Sequence, residues 1–341
     1  MTLLLSKGDV RALLDLDHCI DAVEQAFADH ARGQSHAGVL GMPLPGGGFH
    51  IKTAAGGEIP HFVMKVNGNF AENESRFGLP RIQGLIILCD ARNGTPLAVM
   101  DSTEITAVRT AAATAVAARH LARKDASIVT IAGCGRQSRL QLRALARVRP
   151  LARVFACDTD RARAEAFARE MAALLRVDAR VVDSLAEGSL ASDIVVTCTP
   201  ATQPILHPGD VRPGTFIAAV GADSDTKQEI HPALLAASAV VPDLTDQAAT
   251  IGDLHHAIAA GVFQREQVRA ELGAICAGIA TGRHHDDEII VFDSTGTALQ
   301  DLAAAGIVYR RARALGRGLG LDLLGDAPAA NPAGPLARIF F

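Results

Sequence analysis

The stretch Ile-Val-Thr-Ile-Ala-Gly-Cys-Gly at residues 128–135 decides the fold. A β-branched strand leads into the pattern Gly133-x-Gly135-x-x-Ser138, and a helical pattern follows it. The two glycines permit a tight turn and a close approach of a pyrophosphate, while the helix N-terminus offers free N–H donors. Ser138 stands where such loops usually carry a third glycine, so we expect slightly looser helix–strand packing. The pattern predicts a Rossmann-type dinucleotide-binding unit.

An acidic residue follows at the spacing that this unit requires. Asp158 ends the next hydrophobic strand, twenty-five residues after Gly133. A carboxylate at that strand end accepts hydrogen bonds from the adenosine ribose hydroxyls and repels a 2′-phosphate, which favours NAD. Arg161 and Arg163 follow closely and could offset that preference, so NADP remains an alternative.

Strand and helix patterns alternate from residue 128 onward. Predicted strands cover 154–157, 194–198, 216–220, 240–242 and 289–292, and predicted helices cover 138–148 and 161–176. This rhythm predicts an α/β fold with a doubly wound parallel sheet. A last helical pattern runs from about Thr297 to Arg313 and is expected to return to the first part of the chain.

The first third of the chain mixes helix and strand patterns. Helices are predicted at 17–33 and 102–121, and strands at 49–53, 61–66, 83–90 and 96–101, with a tight turn at 43–48. These pieces predict a small, largely antiparallel sheet. We therefore expect a smaller α+β domain at 1–121, joined by a C-terminal helix at about 306–341. The Rossmann domain is expected at 122–305.

Composition excludes several classes of protein. The 341 residues are 49% hydrophobic and 21% charged, with a net charge of -4, so no basic surface for nucleic acid is expected. No apolar run is long enough to cross a membrane, and the first residues lack the features of a signal peptide. The six cysteines lie far apart, which argues against a disulfide framework and favours a cytoplasmic location.

Three local patterns carry residues suited to chemistry. Lys65 lies near the end of a predicted strand, and Arg109 interrupts a small, apolar helix surface. Asp223 follows a predicted Rossmann strand at its carboxyl end, where ligands meet doubly wound sheets. By contrast, the pairs His255-His256 and His284-His285 have no third ligand placed by the sequence, and we predict no metal site there.

These residues fall in runs that resemble the ornithine cyclodeaminase/μ-crystallin superfamily, whose members include cyclodeaminases, archaeal-type alanine dehydrogenases and reductases of cyclic imino acids. The resemblance covers nearly the whole chain. Its most specific runs are Lys-Val-Asn-Gly-Asn at 65–69, Arg-Thr-Ala-Ala at 109–112, Ile-Ala-Gly-Cys-Gly at 131–135, Cys-Thr-Pro at 198–200 and Gly-Ala-Asp-x-x-x-Lys-Gln-Glu at 221–229.

The resemblance implies a role for each of the three residues. Lys65 would hydrogen-bond the carboxylate or carbonyl oxygen of the substrate, and Arg109 would clamp the carboxylate. Asp223 would exchange a proton with the substrate nitrogen as a hydride moves. The resemblance also makes 1–121 the substrate-binding and dimerisation domain, so the partners would be a small amino or imino acid and a second copy of the chain. Cofactor contacts are expected at Gly133, Gly135, Arg136, Gln137, Asp158, Thr197, Thr199, Thr110 and Val220.

The sequence also departs from the family pattern near the turn at 43–48. Val39 stands where many members carry an arginine that binds a carboxylate, and His50 stands where cyclodeaminases carry a glutamate. Lys52 occupies a position that is usually methionine. His50 and Lys52 alternate along a strand and should face the same side. We hypothesise that Lys52 replaces the missing arginine as a ligand of the substrate carboxylate.

The expected function is NAD(P)-dependent reduction of an imine at the α-carbon of a carboxylate, or the reverse reaction. A cyclic ketimine such as Δ1-pyrroline-2-carboxylate is the leading candidate substrate. Three alternatives remain open: ornithine cyclodeamination to proline and ammonia, an alanine dehydrogenase-like activity, and a μ-crystallin-like binding role without turnover. The glutamate missing at His50 counts against the first of these without excluding it, because a histidine also handles protons.

Overall fold

The computed structural model describes residues 1–57, 60–323 and 325. The first domain contains, in chain order, β1 (Thr2–Leu5), α1 (Lys7–Leu13), α2 (Leu16–Ala31), β2 (Ser35–Leu44), β3 (Gly47–Gly56), β4 (His61–Phe70), α3 (Asn73–Phe77), β5 (Ile82–Asp90), β6 (Pro96–Asp101) and α4 (Ser102–Leu121).

The second domain and the C-terminal elements follow. They are β7 (Ile128–Ala132), α5 (Arg136–Val148), β8 (Arg153–Cys157), α6 (Arg161–Leu175), β9 (Asp178–Val181), α7 (Leu185–Ser189), β10 (Ile194–Thr197), β11 (Thr202–Leu206), β12 (Phe216–Ala219), β13 (Gln228–Ile230), α8 (Pro232–Ala236), β14 (Ala239–Pro242), α9 (Thr245–Ile251), α10 (Asp253–Ala259), α11 (Leu272–Cys276), β15 (Ile290–Asp293), α12 (Ala298–Leu315) and β16 (Leu319–Leu321).

The second domain is built on a seven-stranded sheet with the order β14-β15-β12-β10-β7-β8-β9. Every neighbouring pair in it is parallel, which confirms the predicted doubly wound fold. Its strands are buried on both faces, as the uninterrupted apolar runs predict. The carboxyl ends of β7, β10, β12 and β15 therefore lie at one edge of the sheet, where their loops are available to a ligand.

The first domain is built on a second seven-stranded sheet, with the order β16-β1-β6-β5-β4-β3-β2. All of its pairs are antiparallel except β1 with β6. The helices α2, α4 and α12 pack against one another, and α12 also contacts β3 and β4. Buried apolar side chains from both domains, including Phe27, Ile86 and Phe216, form one continuous core.

Several boundaries differ from the sequence-based expectation. The helix after the glycine loop begins at Arg136 rather than Ser138, and α12 begins at Ala298. Because α12 already packs on the first domain, the return of the chain starts before the expected residue 306, and residues 326–341 lie outside the described part. Strand β2 was not predicted, and the turn expected at 43–48 narrows to Pro45-Gly46. Among the helices in the described ranges, none has the length and apolar content to cross a bilayer.

Candidate active site

A cavity of about 290 Å³ opens between the first sheet and the carboxyl edge of the Rossmann sheet. Both domains contribute predicted site residues to its wall. These are His50, Lys52, Lys65, Arg109 and Thr110 from the first domain, and Gln137, Thr199, Val220 and Asp223 from the second. The topology thus brings together residues that are far apart in the chain, at the position where doubly wound sheets bind ligands.

Two lysines form the centre of the first-domain wall. Lys52 on β3 is paired directly with Lys65 on β4, so their side chains leave the sheet on the same face. They are only 7% and 3% exposed. His50 also lines the cavity, so it shares the face of Lys52 as the alternation predicts. Two adjacent buried ammonium groups repel each other and require counterions.

The counterion is Asp301, in the first turn of α12, which sequence reasoning missed. Its carboxylate lies 2.6 Å from the Lys65 ammonium and accepts a hydrogen bond of 3.0 Å from Nε of Arg109. Nη1 of Arg109 donates to Oε1 of Gln300 at 2.6 Å. A buried aspartate needs a cationic partner, so the position of Asp301 on the largely buried face of a helix was the signal that could have identified it.

The surroundings of these groups shift their pKa values. Burial lowers the pKa of Lys65 to about 7, with further lowering by Arg109 and Lys52, against the opposing effect of Asp301. Burial and the nearby Arg109 also lower the pKa of Lys52. Burial raises the pKa of Asp301, but the cations Lys65 and Arg109 outweigh it and leave this pKa below its usual value. Lys65 and Arg109 therefore share the buried carboxylate of Asp301, with Lys52 as a third cation beside them, and a bound anion would relieve their repulsion.

Lys52 also holds the loop that links β15 to α12. Its ammonium donates to the carbonyl oxygens of Thr295 at 3.2 Å and Gly296 at 2.5 Å. On the other side, the carboxylate of Asp243 accepts from the Thr295 hydroxyl and the Gly296 N–H, both at 2.7 Å. Gly296 has a φ of 76°, and a Cβ there would lie 2.7 Å from the Arg109 guanidinium. Glycine at this position thus permits the loop to approach Lys52 and Arg109.

Asp223 faces the lysines from the Rossmann side, in the loop after β12. Its side chain is 46% exposed to the open cavity, and Oδ1 lies 2.5 Å from the Lys227 ammonium. Burial raises its pKa, but Lys227, Lys52 and His50 together bring that pKa below the usual value. The carboxylate is therefore ionised at neutral pH and can accept a proton or pair with a cationic nitrogen. Nε2 of His256 contacts the Lys227 carbonyl oxygen at 2.9 Å and so supports this loop.

The glycine loop at the start of α5 leaves room for an anion. Gly133 has a φ of 84°, and a Cβ there would lie 2.9 Å from the Cys198 carbonyl oxygen. A Cβ on Gly135 would meet no protein atom within 4 Å. Gly135 caps α5 without a side-chain acceptor, and the first turn of α5 carries no acidic residue. The N–H donors and the open space fit the phosphate groups of a dinucleotide. Ser138 is buried and its hydroxyl donates to the Gly133 carbonyl, so the replaced glycine leaves no unpaired oxygen there.

Asp158 lies beside this loop, as predicted. One carboxylate oxygen accepts from the N–H of Cys134 at 2.7 Å, and the other accepts from the N–H of Asp160 at 2.9 Å. These bonds fix the acidic group at the end of β8, next to the glycine loop. The two arginines that follow are already paired: Arg161 contacts Asp183, and Arg163 lies 3.4 Å from Asp160.

Two predicted cofactor residues have other partners in the structure. Thr197 does not line the cavity, because its buried hydroxyl donates to Glu229 at 2.7 Å. Thr199 lines the cavity and also donates its N–H and hydroxyl to Glu229. Sequence reasoning gave no role to Glu229, which joins the ends of β10 and β12 by accepting from Gly221 as well. Arg136 is half-exposed and pairs with Glu104 at 2.7 Å.

The histidine pairs singled out in the sequence form no ligand cluster of three in the described residues. The rings of His255 and His256 lie 5.1 Å apart, and those of His284 and His285 lie 6.5 Å apart. The one group of three that could hold an ion within the described ranges lies elsewhere, at Glu24, His120 and Cys276.

Known proteins resemble this chain over nearly its whole length. The model of the ornithine cyclodeaminase/mu-crystallin family matches residues 1–316. An alanine dehydrogenase of Archaeoglobus fulgidus is 36% identical over 317 residues, which cover 91% of this chain and 95% of the relative.

Two solved structures share the whole architecture. An archaeal alanine dehydrogenase dimer with bound NAD superposes with a TM-score of 0.91 at 35% identity, covering 94% of this chain and 99% of that one. Thermococcus litoralis Δ1-pyrroline-2-carboxylate reductase, in complex with NADH and L-proline, gives 0.90 at 32% identity, covering 94% and 100%. The chain therefore belongs to the ornithine cyclodeaminase/mu-crystallin family.

Proposed function

We infer that this chain is an NAD-dependent oxidoreductase that acts on the C–N bond of a small α-imino or α-amino acid. One observation carries the proposal: the buried cations Lys52, Lys65 and Arg109 face the carboxylate of Asp223 across a single cavity at the Rossmann edge. This arrangement, with positive groups on one wall and a negative group on the other, suits a substrate that has a carboxylate at one end and a protonated nitrogen close to it.

The cofactor assignment rests on the glycine loop and on Asp158. The open space at Gly135 and the free N-terminus of α5 would hold the pyrophosphate, and Asp158 would accept from the adenosine ribose. Arg161 and Arg163 both pair with carboxylates, Arg163 with Asp158 itself at 3.6 Å, so a 2′-phosphate of NADP would compete with these carboxylates for them. NAD is the cofactor that these residues favour, in keeping with the NAD and NADH in the two similar structures.

The chemistry of the proposed reaction divides between the cofactor and the chain. Reduced NAD supplies a hydride to the imine carbon when it is bound. Lys65 and Arg109 bind the substrate carboxylate and so orient the imine carbon, with Lys52 as a third ligand. Asp223 pairs with the protonated imine nitrogen, which becomes a neutral amine when the carbon accepts the hydride. In the reverse direction Asp223 removes the proton that the amine must lose.

A cyclic ketimine such as Δ1-pyrroline-2-carboxylate is the substrate that we place first. The cavity is small, at about 290 Å³, and part of that volume must accept the nicotinamide ring. A five-membered imino acid satisfies both charged walls without a long side chain. The complex of the similar Thermococcus reductase with L-proline supports the same choice.

Ornithine cyclodeamination is a second candidate because of His50. This imidazole lines the cavity and is close enough to Asp223 to lower the pKa of that carboxyl. It can therefore handle the additional proton transfers that ring closure and ammonia loss require. A binding role without turnover is less well supported, since a simple binder does not need a group that exchanges a proton with the substrate nitrogen.

The partner that we propose is a second copy of the chain. Strand β2 is an edge strand of the first sheet, and four of its apolar side chains are exposed: Val39, Leu40, Met42 and Leu44. An exposed apolar edge of this kind is covered in stable proteins. We expect light scattering to give the mass of a dimer for the wild type, and Leu40→Asp to shift the protein towards monomer. A monomeric wild type would contradict this proposal.

One panel of assays tests the proposed activity. NADH oxidation is measured with Δ1-pyrroline-2-carboxylate, with larger cyclic ketimines, and with pyruvate plus ammonia. Ornithine and lysine are incubated separately with catalytic NAD, and ammonia release is measured. NADH oxidation with an imino acid supports the reductase, and ammonia release from ornithine selects the cyclodeaminase. If the protein binds NADH but turns over none of these substrates, only the binding role remains.

A further inference from the structure

Three side chains of metal-binding type meet outside the cavity. Glu24 on α2, His120 on α4 and Cys276 at the end of α11 each offer one ligand atom, and all three atoms lie within 4.8 Å of one another. His120 follows Arg109 by eleven residues on the same helix, which is about 16 Å along the axis. The cluster is therefore separate from the cavity described above.

We propose that Glu24, His120 and Cys276 form a binding site for a divalent transition ion, with zinc as the preferred ion. A thiolate, an imidazole and a carboxylate are the ligands that zinc takes in proteins. Three protein ligands leave the fourth tetrahedral position to water. All three residues are partly exposed, so an ion can enter from solvent.

The distances suit an ion after a small movement. Zinc lies about 2.0–2.3 Å from such ligands, which places tetrahedral ligand atoms roughly 3.3–3.8 Å from one another. Oε1 of Glu24 and Nε2 of His120 now lie 2.5 Å apart, so they must separate by about 1 Å to admit the ion. The Cys276 sulfur lies within 4.8 Å of both of these atoms, and rotation about its χ1 angle would adjust its distance to the ion.

The two carboxylate oxygens of Glu24 contact different partners. Oε1 contacts His120, whereas Oε2 contacts the guanidinium of Arg119. An ion bound through Oε1 would leave Arg119 in place as an outer partner that orients the carboxylate. Arg119 also lies 3.4 Å from Asp21, so a second carboxylate shares its charge.

The helices that carry the three ligands pack against one another. Helix α11 packs closely on α2, since a Cβ on Gly273 would lie 2.6 Å from the Phe27 carbonyl oxygen. Burial and the nearby Glu24 raise the pKa of the Cys276 thiol to about 12, so the thiol is protonated without an ion. Ion binding forms the metal–sulfur bond and breaks the S–H bond, and the proton passes to solvent. The bound ion would tie α11 of the second domain to α2 of the first.

Cobalt provides the direct test. The full-length protein is stripped with a chelator, dialysed and titrated with Co²⁺ alone. We expect thiolate-to-cobalt charge-transfer absorption that saturates at one ion per chain and disappears when Zn²⁺ is added. The Cys276→Ser variant should lose this absorption, while Cys89→Ser, at a partly buried cysteine outside the cluster, should keep it.

Two further measurements keep the test decisive. His120→Gln should weaken ion affinity by more than about a hundredfold, the upper end of the cost of losing an outer partner. Zn²⁺ should raise the melting temperature of the wild type and not that of Cys276→Ser. A wild-type cobalt spectrum without thiolate absorption overturns the proposal even if the variants fail to fold. Absorption that persists in Cys276→Ser overturns it as well.

Discussion

The ammonium of Lys65 lies 2.6 Å from Oδ2 of Asp301, and both side chains are buried. This pair joins β4, early in the chain, to α12, near its end. Asp301 also accepts from Arg109, so one carboxylate holds two of the cations that face the substrate. By returning to the first domain, α12 therefore positions Lys65 and Arg109 in the site in addition to packing in the core.

Replacing Asp301 with asparagine should destabilise the protein by about 3–5 kcal/mol, because it leaves buried cations without their counterion. Urea unfolding measures this change. The matched control is Asp246→Asn, whose side chain is 95% exposed, and its cost should be below about 1 kcal/mol. Equal losses for the two variants would show that Asp301 is not the required counterion.

The pH dependence of reduction should follow Lys65. Because its pKa is about 7, the group carries its charge below that pH and loses it above. We therefore expect kcat/KM for the imino acid to fall as pH rises through about 7, since a neutral amine binds the carboxylate less well. Lys65→Arg keeps its charge at every working pH and should move the decline upward. If kcat/KM of Lys65→Arg falls at the same pH as that of the wild type, a group other than Lys65 causes the decline.

Lys52 should bind the substrate carboxylate. The Lys52→Met variant keeps the side-chain length and loses the charge, so KM for the imino acid should rise about tenfold or more, the value of one charge-assisted hydrogen bond. Val39 is paired directly with Lys52 across β2 and β3. An arginine at Val39 can therefore supply the lost charge, and the double variant Val39→Arg/Lys52→Met should recover most of the KM. An unchanged KM in Lys52→Met would refute the role.

The two glycines of the dinucleotide loop should respond differently to alanine. Gly133→Ala should lower stability, because the residue has a positive φ and its Cβ would collide with the Cys198 carbonyl. Gly135→Ala should fold normally, because its Cβ meets no protein atom, yet it should weaken NADH binding. Melting temperature and NADH fluorescence titration separate the two effects. Tight NADH binding by Gly135→Ala would mean that the open space is not the phosphate site.

Local signals in the sequence were sufficient for much of the fold. Helix α4 and strand β7 have the predicted bounds, because alternation, apolar faces and capping residues are properties of neighbouring residues. Strand β2 was missed because Gly38, Gly41 and Pro43 interrupt its pattern and almost all of it is exposed. As an edge strand it depends on pairing with β3 more than on its own sequence.

The site was predicted less completely than the fold. Lys65, Arg109 and Asp223 lie in recognisable runs, and the structure places all three in one cavity. Asp301 and Glu229 act through contacts with residues distant in the sequence, and no local pattern identifies those partners. Thr197 was assigned to the cofactor because it ends a strand, and that assignment stays a prediction; the structure shows that its hydroxyl donates to Glu229.

The most direct test of the proposed function is the Asp223→Asn variant, assayed for NADH binding and for imino acid reduction. Asparagine keeps the size of the side chain and removes both the charge that pairs with the protonated imine nitrogen and the capacity to exchange a proton with it. We predict that NADH affinity stays within about twofold of the wild type while kcat falls by about 10²–10⁴, the range for loss of a general acid–base group. A variant that reduces the imino acid at the wild-type rate would contradict the role of Asp223 and the mechanism built on it.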